Sequence, residues 1–565
     1  MTAPSWLAFA LAAALACFPV VATADAVAGA PVADDTPVPA PPTPTRTTTA
    51  DHSKFEQLQG PFRSGPEVTE ACLGCHTEAA SQVHGSVHWN WRYEHPTTGQ
   101  TLGKRHALNN LCLGIVGSYE RCASCHVGYG WQDEHFDFSA QNKVDCLVCH
   151  DRTGTYEKFP TGAGHPAYED TMFRGRMFEA VDLAQVAQNV GQTSRATCGS
   201  CHFHSGGGDA VKHGDLDSSL LAPSRVVDVH MSPEGLDFNC STCHEFSGHD
   251  QAGSRYLVTA VPQHGIAVPG RESDRPACQS CHGDTPHARG IHDKLNQHAE
   301  LMACQTCHVP EIARGGLATK TLWDWSTAGR RNEAGVPVVE RNDEGQIIYD
   351  GMKGDFEWRE NYPPIYRWFD GTMRYTEVGE PIDPSRPVDI NRPEGEPRRN
   401  GARSTGARIW PFKVLEGHQP YDEAHQHIVV PRLFGRDETA YWRGYDWNRA
   451  IEAGMAEARR VGQTDAEFSG RHGFVETRMY WPVTHMVAPA EMALSCEACH
   501  TVGGRLEGLA GVYIPGRDRH PLIEGLGWLA VFFTLLGVLG HGLMRAVMAM
   551  HRRRPQPAAS AGDET

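Results

Sequence analysis

The pattern C-x-x-C-H occurs eight times in this chain, and it constrains the fold more than any other feature. The cysteine pairs are Cys72/Cys75, Cys122/Cys125, Cys146/Cys149, Cys198/Cys201, Cys240/Cys243, Cys278/Cys281, Cys304/Cys307 and Cys496/Cys499. Each pair is followed at once by a histidine: His76, His126, His150, His202, His244, His282, His308 and His500. The spacing is that of c-type haem attachment, in which two thiols add across the vinyl groups and the adjacent imidazole reaches the iron. Zinc ribbons pair their C-x-x-C units without a histidine after each one, and a disulfide framework has no use for one. The motifs take 16 of the 18 cysteines, so the expectation is eight covalently bound haem c.

Eight porphyrins are core material in themselves, so length is a poor guide to domain count for these 565 residues. Motif starts are separated by 50, 24, 52, 42, 38, 26 and 192 residues, which excludes a simple tandem repeat. With 58 Gly, 37 Pro and short aliphatic runs, the expected fold is mainly α and irregular. It would be a multihaem cytochrome c domain wrapped around eight haems, with little sheet. The formal charge of −17, deepened by haem propionates, argues against nucleic-acid binding.

Residues 1–24 read as a signal peptide, with an apolar run that includes Cys17 and a small-residue cleavage site at Ala22-Thr23-Ala24. A lipoprotein cysteine is the other reading of Cys17, although Ala14-Leu15-Ala16 is a poor match for it. Residues 25–51 form a Pro/Ala/Thr-rich tether. Residues 52–517 form the haem domain, which includes an aromatic- and Arg-rich haem-free interval at about 312–490 with helical spacing over Trp447–Arg460. Residues 518–565 read as an anchor: Gly525–Met544 has no charged residue and is long enough to span a bilayer. Arg545 and Arg552-Arg553-Arg554 follow it, which places the tail in the cytoplasm and the haem domain in the periplasm of a bacterial inner membrane. His541, within the span, is either a haem b or quinol-site residue or an interfacial one.

Most electron-transfer haems take histidine on both faces. The distal candidates, each in a short polar or Gly/Pro-punctuated loop, are His88, His230, His249, His264, His287, His298 and His485. His52 is counted with the tails. Lysine is scarce, at nine against 42 arginines. A desolvated lysine loses its proton and becomes a nitrogen ligand, which a guanidinium does not. Lys212, ten residues past His202 and just after three glycines, is the first candidate, with Lys143 and Lys158 as alternatives. The glycines would let backbone approach a flat cofactor. Cys112, in HALNNLCLGIVG, reads either as a buried inert thiol or as a sulfur-handling active-site residue.

RCASCHVGYGW, DCLVCHDRTGTY, GGGDAVKHGDLDSSL, ACQTCHVPEIARGG and THMVAPAE together resemble the octahaem tetrathionate reductase family of c-type cytochromes, over roughly His52 to Arg517. The resemblance implies a periplasmic reductase of tetrathionate, nitrite and hydroxylamine. One haem would be Lys-ligated and open to substrate, and the others bis-His relays. It assigns the lysine to Lys212, the active haem to Cys122/Cys125/His126 and an active-site thiol to Cys112. The membrane span departs from the soluble members and implies a quinol-linked membrane partner such as a cytochrome b. The expected substrate is a small oxyanion or sulfur compound. Two other functions fit the same motifs: an electron conduit without chemistry of its own, and an oxidase of hydroxylamine or reduced sulfur. A high-spin iron separates enzyme from conduit, and the sign of catalytic current separates reductase from oxidase.

Overall fold

The computed structural model describes residues 50–552 apart from 206, 259–275, 291–292 and 398–405. The signal and tether readings, Cys17 and His264 therefore lie outside the described residues. Between 50 and 311 the described chain is loops, two-stranded ribbons and short helices, the longest being α1 (Gly65–Leu73) and α2 (Arg195–His202). α2 carries a capping box at Ser194/Thr197 and delivers the fourth motif on its last turn. Trp89, Trp91, Trp131 and Phe136 form an aromatic core beside the second motif.

The haem-free interval is a sheet, which corrects the expectation of little strand. Nine strands take part: β1 (Thr319–Asp324), β2 (Val339–Arg341), β3 (Ile347–Asp350), β4 (Gly354–Arg359), β5 (Ile365–Phe369), β6 (Val388–Asp389), β7 (Arg408–Asp422), β8 (His427–Ile428) and β9 (His472–Pro482). Their order is β2-β3-β4-β1-β7-β9-β6, with β5 and β8 also paired to β7. The 15-residue β7 is the axis of the sheet and pairs with β9 over Phe412–Asp422. Along β7, Ile409, Trp410, Phe412 and Leu415 are all buried, so its sequence lacks the one-sided alternation of a half-exposed strand. Pro411, Gly417 and Pro420 within it disguise it further.

α3 (Trp447–Arg460) has the expected 3.6-residue stripe: Trp447, Ala450, Ile451, Gly454, Met455 and Ala458 are buried. Asp446 caps it by accepting from the Arg449 N–H. α4 (Pro521–Arg552) is an apolar helix of 32 residues with no burial against the rest of the protein. At ~1.5 Å per residue it is long enough to cross a bilayer core of about 30 Å.

The sheet also fixes the segment Ala210–Gly214. Lys413, fully buried on β7, donates from Nζ to the carbonyl of Val211 (3.0 Å) and to Thr319 Oγ1 (2.6 Å). Its Nζ also lies 3.4 Å from the carbonyl of His213. The Thr319 hydroxyl lies 2.7 Å from the carbonyls of both Ala210 and His213. Gly214 allows this approach, because a Cβ there would lie 2.0 Å from Ile312 Cγ2. The glycine run has a different use from the one expected. Gly208, at φ +116°, helps turn the hairpin of His204–Ser205 and Gly208–Asp209, and Gly207 packs against Val211 and Trp323.

Candidate haem-binding and active site

Seven motif histidines face a second imidazole. The ring centroids are 6.3 Å apart for His76 and His52, 6.4 Å for His150 and His249, and 6.0 Å for His202 and His88. The later motifs give 6.2 Å for His244 and His485, 6.1 Å for His282 and His230, 6.3 Å for His308 and His287, and 6.0 Å for His500 and His298. With metal–nitrogen bonds of about 2 Å, two imidazoles on opposite faces of one metal have centroids about 6 Å apart, so the pairs fit a bis-His haem. The local fold sets this up. Each motif is a short helical turn, and in at least five of them the histidine N–H bonds to the first cysteine's carbonyl. His150, His244 and His500 then point Nδ1 at the carbonyls of Gly191, Ala252 and Pro515, leaving Nε2 for a metal.

The attachment thiols differ in how far the polypeptide alone covers them. Cys75, Cys243, Cys281 and Cys496 are exposed, Cys499 is buried, and the other motif cysteines are half-buried. The reason is local. Cys75 lies between Gly74 and His76, both exposed, on the turn just past α1, and its N–H bonds to the Cys72 carbonyl at 3.1 Å. Cys281 sits on the one-turn helix Gln279–His282, followed by the exposed run His282–Pro286, and its Sγ is 3.7 Å from Ser280 Oγ. In both motifs the first cysteine, Cys72 or Cys278, is half-buried and the second is exposed. Thioether attachment needs the C-x-x-C-H spacing and not burial, so both residues keep their assigned role.

Six of the seven distal candidates lie opposite a motif histidine; His264 is outside the described residues. His52 takes the place opposite His76. It sits in a 3-10 turn (His52–Lys54) capped by Asp51, not in an extended tail. An imidazole only 24 residues before the first motif histidine was the available signal.

His126 is the exception to the expectation that each motif histidine faces an iron. Its motif ends in a tighter 3-10 turn, with the His126 N–H bonded to Ala123, and the ring swings aside. Its Nε2 lies 2.7 Å from the Trp89 carbonyl, and its Nδ1 is buried without a partner. Trp89, Trp91, Trp131 and Phe136 surround the ring at 4.8–5.5 Å. Burial pushes its pKa down to about 3, so the ring is neutral. Among the described residues, no second histidine faces it at the separation of the other pairs.

The charge of Lys212 reaches both the second and the fourth motif, through Cys125 on one side and Cys201 and His202 on the other, and Cys125 also feels Lys104 and Lys158. Alone among the described lysines, Lys212 makes no hydrogen bond, ion pair or aromatic-face contact. Lys158, the alternative, is tied to Asp145 at 2.9 Å and to the His126 carbonyl. Lys143 lies over the Phe136 ring. Burial, followed by the charges of Arg255 and Lys104, pushes the Lys212 amine down to about 8. That brings the neutral, ligating form within easier reach than in an exposed lysine. Cys112 interacts with Cys122, which places it at the same motif, and burial pushes its thiol up, so it is not a thiolate. Lys104, which donates to the Cys122 carbonyl at 3.1 Å, and Arg255, whose charge reaches Lys212, are cations that sequence reading missed. The run Lys104-Arg105-His106 was the one visible sign.

Thiol neighbours give the order of the motifs. Cys72 meets Cys146, Cys149 is near Cys198, and Cys198 meets Cys240. Cys243 is near Cys278, Cys278 meets Cys304, and Cys307 is near Cys499. Cys125 meets Cys201. The motifs therefore run first, third, fourth, fifth, sixth, seventh, eighth, with the second hanging from the fourth.

Motifs of this kind, with facing imidazoles, define a multihaem c-type cytochrome. The family described as Cytochrome c bacterial matches residues 320–503. A crystal structure of octaheme cytochrome c from Shewanella oneidensis superposes with TM-score 0.70 at 38% identity, covering 82% of this chain and 97% of that one. An uncharacterized protein from Archaeoglobus fulgidus is 25% identical over 241 residues, 35% of this chain and 80% of its own length. The chain belongs to the octahaem cytochrome c family and binds haem c covalently.

Proposed function

We propose that the protein is a periplasmic octahaem reductase, anchored in the inner membrane by α4, that reduces tetrathionate, nitrite or hydroxylamine at the second motif. The observation that carries this reading is the pairing of a motif histidine turned away from its site with an unpartnered amine, Lys212, beside the same motif. The seven other motifs have the facing imidazoles of relays, and a pure conduit has no need of an eighth that differs. When bound, the haems supply the electron relay and, at the Lys212 position, the redox-active metal of the reaction.

The protein's own part follows from charge and packing. Lys104 and Arg255 draw an anionic substrate toward Cys122 and Cys125. Lys413 and Thr319 hold the backbone on both sides of Lys212, so its amine is positioned by the sheet. The aromatic cage of His126 walls the site from water on that side. The eighth motif lies nearest α4 in sequence, and His500 is tied to the Pro515 carbonyl just before it. That motif is the natural receiver of electrons from a quinol-linked membrane partner such as a cytochrome b.

Voltammetry of the adsorbed protein tests the reading. Tetrathionate, nitrite or hydroxylamine should give a reductive catalytic current. A current of the opposite sign would make the protein an oxidase, and none with any of the three would leave only the conduit.

A further inference from the structure

A second site lies far from the attachment motifs in sequence, at the turn joining β7 to β8, which reads Asp422-Glu-Ala-His-Gln-His427. Antiparallel pairing sets Asp422 directly opposite His427. Gln426, in the left-handed region at φ 52°, closes the turn and brings His425 back toward them. One ligand-capable atom from each of Asp422, His425 and His427 lies within 4.8 Å of the other two. The imidazoles of His425 and His427 are 5.9 Å apart and nearly parallel, at 11°. No cysteine pair accompanies them, so this is not another haem pair.

The ligand atoms are held from behind. Asp422 Oδ1 accepts from the Ala424 and His425 N–H groups, both at 2.9 Å, and Oδ2 from the Ser469 N–H at 2.6 Å. His425 Nδ1 lies 3.3 Å from Asp422 Oδ2 and 3.0 Å from the Glu467 carbonyl. The independent observation is on His427. It is 4% exposed, its Nδ1 lies 3.2 Å from the Ile428 carbonyl, and its Nε2 is shut from solvent with no hydrogen-bond partner. An imidazole whose Nδ1–H is fixed on a carbonyl presents a lone pair at Nε2, which is how metal-bound histidines are oriented.

We propose that Asp422, His425 and His427 bind one divalent transition metal of the zinc class, with solvent completing the coordination. Two imidazoles and one carboxylate are a borderline-soft donor set, suited to zinc and its neighbours and poorly matched to calcium or magnesium. The metal is a staple. It locks the β7–β8 turn, whose Asp422 and His425 are hydrogen-bonded to the Glu467–Ser469 segment that leads into β9. Nothing in the inference depends on which substrate the haem site takes.

The test uses full-length, tag-free protein with its haems, loaded with Zn2+ and dialysed against metal-free buffer. Elemental analysis should give one zinc per chain alongside the haem iron, and zinc should raise the unfolding temperature. His425→Ala, at a ring that is 51% exposed and safe to truncate, should weaken zinc binding at least tenfold without changing haem content. His427→Gln should abolish it. Retention of less than 0.2 zinc per chain by the wild type, or equal zinc affinity in wild type and both variants, would overturn the proposal.

Discussion

Asp215 lies against His485, with Oδ2 3.4 Å from the ring's Nδ1 and accepting the His485 backbone N–H at 2.8 Å. Other paired rings meet neutral groups at Nδ1: carbonyls for His150, His244 and His500, and amide oxygens for His249 and His287. Burial opposes charge on Asp215, yet the hydrogen bond and charge of His485, with His213, hold its carboxyl well below the usual range. A carboxylate on Nδ1 makes Nε2 the stronger donor and favours the oxidised metal. Asp215→Asn should therefore raise the midpoint potential of one haem by about 60 mV, the one-electron equivalent of a tenfold change. A spectroelectrochemical titration in which every potential stays put would contradict this.

Lys413 supplies the second prediction. Replacing it by Met removes the donor shared by the carbonyls of Val211 and His213, and only the latter still has the Thr319 hydroxyl beside it. The cost should be about 1–3 kcal/mol of stability, read by denaturant unfolding. Turnover should fall with haem content unchanged, because Lys212 between those carbonyls is no longer held.

The attachment chemistry was legible because a covalent bond to haem demands contiguous residues, and C-x-x-C-H has no ordinary structural use. The pattern carries no information on cover, so nothing in it separated the exposed Cys75 and Cys281 from the buried Cys499. Facing histidines such as His88 and His298 could be picked because they lie between or just before motifs, although the structure places both on short helices rather than in loops. His52 was lost because it borders a Pro/Ala/Thr-rich tether and its partner is met only in three dimensions. The displacement of His126 was hidden, since its motif is identical in pattern to the others and differs only in its 3-10 turn and in the aromatic side chains around the ring. β7 was hidden as well, because burial on both faces removes the period-two pattern from which a strand is read.

Glu134 joins the haem-rich segment to α3 by bonding to Arg460, which is also tied to Glu457. The Arg460 hydrogen bond pushes the Glu134 carboxyl down to about 2. A depressed folded-state pKa gives stability that is present above the unfolded value of about 4.3 and lost as pH falls toward 2. Wild type should be more stable than Glu134→Gln at pH 6, by under about 1 kcal/mol for a partly exposed pair. The difference should shrink between pH 4.5 and 2, as thermal melts across that range would show.

Truncation before Leu522 removes nearly all of α4. It should release a soluble, haem-replete protein that accepts electrons from a dye but loses quinol-driven activity in membranes. Full quinol activity in the truncated form would remove the anchor from the account.

The central claim, that Lys212 and not His126 serves the iron of the second motif, is tested most directly by electron paramagnetic resonance of the oxidised wild type and Lys212→Gln, with haem quantified in both. The account predicts equal haem content, unchanged bis-His signals and one altered component, with reduction of tetrathionate, nitrite and hydroxylamine falling together. Identical spectra and identical rates in the two proteins would contradict it.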